Sequence, residues 1–281
     1  MLIFNQNVTD FVSSLFLIII YTVKLCNIYL TGVSGYWLCM LIVSENLFWC
    51  GVLASKANLV FVTIERYLKV VHRKIKLRKW MIYSALAFAW ISGFVHGLAL
   101  AFGTSDVING VCYGYVIWKS RVSQLAYGIW TFLSLYVFIL TIFIFCYWRI
   151  LIVIRRQASV MAGHSTAGPS TAQAQSNQIQ SSIIKTMILV SVCYAICDLP
   201  LQVHYLILNV HANLTLLDSV HYAAVFFSFF YYCANPFIYA TKFDPVKRIM
   251  LRLIPCKKNS VQPIESLEMS VSRRVATRTA Q

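Results

Sequence analysis

Long apolar runs, each broken by a short polar or basic segment, dominate the pattern along the chain. They cover roughly residues 2–24, 38–69, 80–102, 122–154, 179–209 and 217–241. Each is at or beyond the ~20 apolar residues that a helix needs to cross the hydrocarbon core of a bilayer. None shows the strict alternation of a barrel strand, and Gly and Pro are scarce, so the pattern predicts an all-α bundle of membrane-spanning helices. The stretch 157–182, "QASVMAGHSTAGPSTAQAQSNQIQSS", is small and polar and is expected to be a flexible loop. After the last span, Phe243, Val246, Ile249, Met250, Leu253 and Ile254 recur on one helical face. That spacing predicts a short amphipathic helix over about 244–254, lying on the membrane lipids of one leaflet. The residues from 259 to 281 are rich in Ser, Thr and Arg and read as a flexible tail.

Composition agrees with this and adds an orientation. Hydrophobic residues make up 59% of the 281 positions and charged ones only 12%, a balance that excludes a soluble domain. Of the 24 Lys and Arg, seven lie from Arg66 to Lys79 and nine from Lys242 onward. The excess places the 70–79 loop, the 155–182 loop and the C-terminal tail on the cytoplasmic side. The net charge of +15 is therefore a topology signal and does not point to a nucleic-acid partner.

Candidate chemistry is sparse. No CxxC pair, HExxH or His/Cys cluster of metal-ligand spacing occurs, and no nucleophile–base set suggests an enzyme. Cys39 and Cys112 both fall near the outer, oxidising face, where a disulfide would staple the 103–121 loop over the bundle; Cys26 is the other thiol on that side. Cys256, beside Lys257 and Lys258, is a candidate acylation site. Of two N-x-[ST] sequons, Asn7 lies within a span, so a glycan is expected only at Asn213. Lys56 and Asp198 are ions within spans. Two unpaired charges there would each be costly, so where helix packing brings them to a similar depth they are expected to face each other and pair, with separate neutralisation as the alternative.

Several short motifs carry a resemblance. Glu65-Arg66-Tyr67 ends the second span and Asn235-Pro236-Phe237-Ile238-Tyr239 closes the last; Asp10 in the first span, and Trp90, Tyr147 and Pro200 between the two motifs, fall at matching places. In this order and topology the chain resembles the rhodopsin-like G-protein-coupled receptors, from their second helix to their seventh, over nearly its whole length. The family's first helix is not matched, and a receptor lacking it is the expectation.

The resemblance implies a function and a set of roles. A receptor of this kind passes an extracellular signal to a heterotrimeric G protein, with Glu65, Arg66, Tyr67, Tyr147, Pro200, Asn235, Pro236 and Tyr239 as the coupling and activation residues. It also implies a sodium ion at Asp10, Ser55 and Asn235, the alternative being a protonated Asp10 hydrogen-bonded to Asn235. Departures matter too: Asp198 stands where the family usually has Trp, Ile139 where the fifth helix has Pro, and Cys39 lies a couple of residues farther from Arg66 than usual. Amine receptors of the family carry an aspartate about five turns outward of the Arg-Tyr pair; Phe48 stands there, so a peptide ligand is favoured over an amine. Glu45, Phe48 and Trp49 are the candidate pocket residues, with Glu45 able to pair a cationic group. A non-signalling receptor and an ion-coupled transporter using Asp10, Lys56 and Asp198 are the rival readings; a transporter predicts an internal repeat, which the sequence lacks.

Overall fold

The computed structural model describes residues 1–26, 29–72, 75, 78–114, 118–163, 171–211 and 219–242. The amphipathic segment about 244–254, Cys256, Asn213 and the tail from 259 lie outside the described residues.

The apolar runs fold as helices, and four of them are uninterrupted: α1 Leu2–Leu25, α4 Lys79–Thr104, α7 Thr171–Val210 and α8 Ser219–Lys242. The span predicted to start at 38 begins earlier and in pieces. A short α2, Gly32–Leu38, runs into a π turn at Cys39–Val43, and α3, Asn46–Val71, follows a break. Ser44 N–H donates to the Cys39 carbonyl at 2.9 Å, the wide i→i−5 bond of a π turn, and Glu45 then adopts φ 62°, ψ 16°. The wide turn and the break take up the extra residues between Cys39 and Arg66. The fourth apolar run is likewise composite, α5 Arg121–Phe132 and α6 Phe138–Gly163 joined by a π turn at Leu133–Val137. That turn precedes Ile139, so the wide turn forms without a proline.

Helix α7, Thr171–Val210, has 40 residues and carries Pro200 inside it. At 1.5 Å per residue it is about 60 Å long, twice the bilayer core, so its first turns project beyond the membrane. With α6 reaching Gly163, most of the polar stretch predicted as a flexible loop is helical instead. The reason is local: Ala and Gln are good helix formers, and two long helices propagate into the stretch from either side. The outer loop after α4 holds an unforeseen hairpin, β1 Asp106–Ile108 antiparallel to β2 Val111–Tyr113. Its turn is Asn109-Gly110, both at positive φ, the dipeptide that two-residue hairpins favour.

Among the described residues, five helical stretches are long and apolar enough to span a membrane: Leu2–Leu25, Gly32–Val71, Lys79–Thr104, Arg121–Gln157 and Ser181–Val210. The sixth predicted span is α8, a 24-residue helix diluted by His, Asn and many Tyr. Burial is arranged for lipid. Phe4, Phe11, Ile18 and Leu25 repeat every seventh residue along the exposed side of α1, whereas Asp10, Ser55, Lys56, Asn58, Asp198 and Asn235 are buried. The interior is otherwise aromatic and aliphatic, with Tyr194, Tyr231, Tyr232 and Phe48 fully enclosed. Helices α3 and α4 approach closely because α4 offers Gly93 and Gly97 to α3: a Cβ at Gly93 would strike the Cys50 carbonyl, and one at Gly97 would meet Asn46 Oδ1 at 2.8 Å.

Candidate functional site

Three buried polar groupings lie inside the bundle. The first surrounds Asp10. Ser55 Oγ donates to its carboxylate at 2.6 Å, Asn235 Nδ2 at 2.9 Å and Gln6 Nε2 at 3.2 Å. The structure thus brings together α1, α3 and α8 at the constellation read from the sequence, and adds Gln6 one turn away on the same face of α1. Gln6 Nε2 also donates to Ser55 Oγ, while its Oε1 accepts from Asn58 Nδ2 at 2.8 Å. Asn58 donates onward to the Leu2 carbonyl, Asn5 to Asn58, and Trp90 Nε1 of α4 to Asn5 at 3.3 Å. The i, i+4 spacing of Gln6 and Asp10 was the available signal for Gln6; Asn58 had none. Asn235 Oδ1, by contrast, is buried with no hydrogen-bond partner. A buried carboxylate, a serine oxygen and an orphaned amide oxygen form a hard, oxygen-only donor set, which fits a small monovalent cation such as sodium.

The second grouping joins α3, α7 and α8. Lys56 Nζ lies 2.7 Å from Asp198 Oδ2, and their side chains are 2% and 1% exposed. Gln202, one turn along α7, donates to the same oxygen at 3.0 Å, and Ser228 of α8 donates to Oδ1 at 2.9 Å. The Lys56 ammonium also stands 5.7 Å from the centre of the Tyr194 ring. Every oxygen of the buried carboxylate therefore has a donor, the condition under which an ion pair survives in a low dielectric.

The third lies toward the inner end. The Tyr147 hydroxyl of α6 is 3.2 Å from Thr63 Oγ1 of α3 and accepts from Ser191 Oγ of α7 at 3.1 Å. Below it, Glu65 and Arg66 are 3.7 Å apart, but the closer partner of Glu65 is Lys69, at 2.6 Å one helical turn on. The neighbours Glu65 and Arg66 are thus only loosely paired, because adjacent residues on a helix point about 100° apart, whereas i, i+4 partners face each other. Arg66 Nε is buried without a hydrogen-bond partner. Pro236 and Tyr239 follow Asn235 along α8.

The outer residues separate. Cys39 and Cys112 form a disulfide with Cα atoms 5.4 Å apart, tying β2 to the π turn; Leu30 N–H reaches the Gly110 carbonyl at 3.0 Å. Phe48 is 2% exposed and packs edge-on against Trp49, at 4.9 Å. It is a core residue, and of the three pocket candidates only Trp49 and Glu45 keep some exposure. Glu45 is already paired, with Lys24 at 2.6 Å. Asn7 lies within α1, donating to the Ile3 carbonyl at 3.1 Å.

A family model described as 7 transmembrane receptor (rhodopsin family) matches residues 1–239. The chain belongs to that family. The receptor is therefore a multi-pass membrane protein of a non-enzymatic class. No curated protein matches it. Among solved structures, that of squid rhodopsin superimposes on it with a TM-score of 0.71, covering 95% of this chain and 79% of that one. At 16% identity this likeness shows a shared fold.

Proposed function

We propose that this receptor couples an extracellular ligand, a peptide in preference to a small amine, to a heterotrimeric G protein through rearrangement of α6 and α7 against α3. The observation that carries it is the hydroxyl bridge from Thr63 through Tyr147 to Ser191. Neutral hydrogen bonds of this kind are each worth about 1 kcal/mol net, weak enough to break and re-form as the helices part. Arg66, whose buried Nε has no hydrogen-bond partner, is the residue that a G protein would engage when they do. Family membership and the Glu65-Arg66-Tyr67 triplet support this reading, and Asn235 with Pro236 and Tyr239 on α8 would move with the same change. The peptide preference is supported by Phe48, an apolar core residue where amine receptors carry a carboxylate.

A sodium ion held by Asp10, Ser55 and Asn235 would supply the counter-charge that the buried carboxylate lacks, favouring the arrangement in which α1, α3 and α8 converge. The test is recruitment of engineered minimal G proteins of each class to the receptor in cells, with surface expression measured in parallel. Recruitment above background by at least one class, reduced at least tenfold by Arg66→Ala at equal surface level, is expected. A receptor that reaches the surface and recruits none, with or without a peptide library, is a non-signalling one.

A further inference from the structure

The outer end of α1 and the break before α3 hold an ion pair that the three groupings above do not use. Lys24 Nζ lies 2.6 Å from Glu45 Oε1 and 5.6 Å from the centre of the Tyr21 ring. An ammonium here is thus held by one carboxylate and the face of one aromatic ring, a combination that recognises cationic groups.

The two partners are not equivalent. The Glu45 side chain is 12% exposed and that of Lys24 35%. Glu45 is held at the break before α3 in the left-handed region, with its N–H bonded to the Ile42 carbonyl at 2.8 Å and its own carbonyl accepting from Trp49 N–H at 3.0 Å. A non-glycine residue persists in that region only where its surroundings fix it. Lys24 sits in the last turn of α1 at the end of a flexible stem, and a released ammonium recovers its hydration at once. One partner is fixed and the other is replaceable.

We infer that Glu45 with Tyr21 forms an ammonium-binding site, occupied here by the chain's own Lys24, which the primary ammonium of a ligand takes over. On the receptor reading above, that ammonium is a peptide N-terminus or a lysine side chain reaching down from the outer face. A ligand carboxylate is refused, because it would meet Glu45. A neutral ligand leaves the Lys24–Glu45 pair in place.

The test uses the full chain in lipid nanodiscs and needs no known ligand and no G protein, so its failure and that of the receptor reading are distinguishable. Lys24→Ala removes the internal ammonium, and n-butylammonium chloride is the probe. Saturable thermal stabilisation of Lys24→Ala by butylammonium is expected, with none from butanol or an equal concentration of potassium chloride. The intact chain should need at least about tenfold more probe, because tethered Lys24 competes at a high effective concentration. Adding Glu45→Gln to Lys24→Ala should abolish the response. Lys24→Met, which keeps the apolar stem, replaces Lys24→Ala if the latter fails to fold. An equal response with and without Glu45→Gln, or no response in either lysine variant, overturns the inference.

Discussion

Asp10 shows how a single residue acquires a role from its surroundings. A lone carboxylate in a membrane helix is a liability, yet here it accepts from Ser55, Asn235 and Gln6, and among the described residues no basic side chain pairs with it. Three neutral donors compensate part of the desolvation, and Asn235 Oδ1 remains without a hydrogen-bond partner. A sodium-dependent stability follows. Purified receptor should unfold at a higher temperature in sodium chloride than in potassium chloride at the same ionic strength, by linkage of about 2.7 kcal/mol at a hundredfold excess over the dissociation constant. Asp10→Asn should erase the difference between the two salts; indistinguishable melting curves for the unmodified chain would remove sodium from the site.

Among elements, the contact that sets this chain apart is the tie between α3 and α7. Lys56 and Asp198 meet at 2.7 Å, one helical turn inward of Gln202 and two residues before Pro200. Proline removes a backbone hydrogen bond and loosens the helix around it, so the ion pair anchors α7 beside its most pliable point. Removing one partner strands a buried charge at a cost of about 3–5 kcal/mol. Lys56→Asp and Asp198→Lys should therefore each depress surface expression and signalling, and the double swap should restore a measurable part of both. No recovery in the double variant would mean that the two charges are not mutually compensating. The opposite-sign design of this pair also explains why Asp is tolerated where the family usually has Trp: the ion is fully enclosed and every oxygen has a donor.

For the whole molecule, the outer hairpin and the bundle are joined covalently. The Cys39–Cys112 bond closes a separation of 73 residues, fixing β2 to the π turn ahead of Glu45. Loop-closure entropy on that scale is worth about 2–4 kcal/mol, although the partition between entropy and enthalpy depends on the model used. Non-reducing peptide mass spectrometry should recover the linked pair, and Cys112→Ser should lower the melting temperature and loosen the hairpin to proteolysis. Both thiols found alkylated in the unreduced protein would contradict the bond.

The sequence by itself determined the class, the topology and the chemical cast. Apolar runs of membrane length, a basic inner side and the Glu65-Arg66-Tyr67 and Asn235-to-Tyr239 motifs are local signals, each read within a few dozen residues. The Lys56–Asp198 contact was legible once the helix packing of the resembling family put both at a similar depth, because a buried charge there needs a partner. The Asn109-Gly110 turn is a local signal too, a dipeptide that accepts positive φ at both positions, but strands of three residues carry no periodicity of their own. Helix extent was misjudged over 157–182, where polar composition suggested a loop but adjoining helices propagate through good helix formers. Only the tertiary structure decided the rest. Whether Phe48 lines a pocket or fills the core, and which of Arg66 and Lys69 holds Glu65, depend on side-chain directions that a π turn and a left-handed residue reset by fractions of a turn. That Lys24 would meet Glu45, and that Asn58 would complete the Asp10 network through Gln6, are meetings between helices whose relative rotation no local pattern encodes.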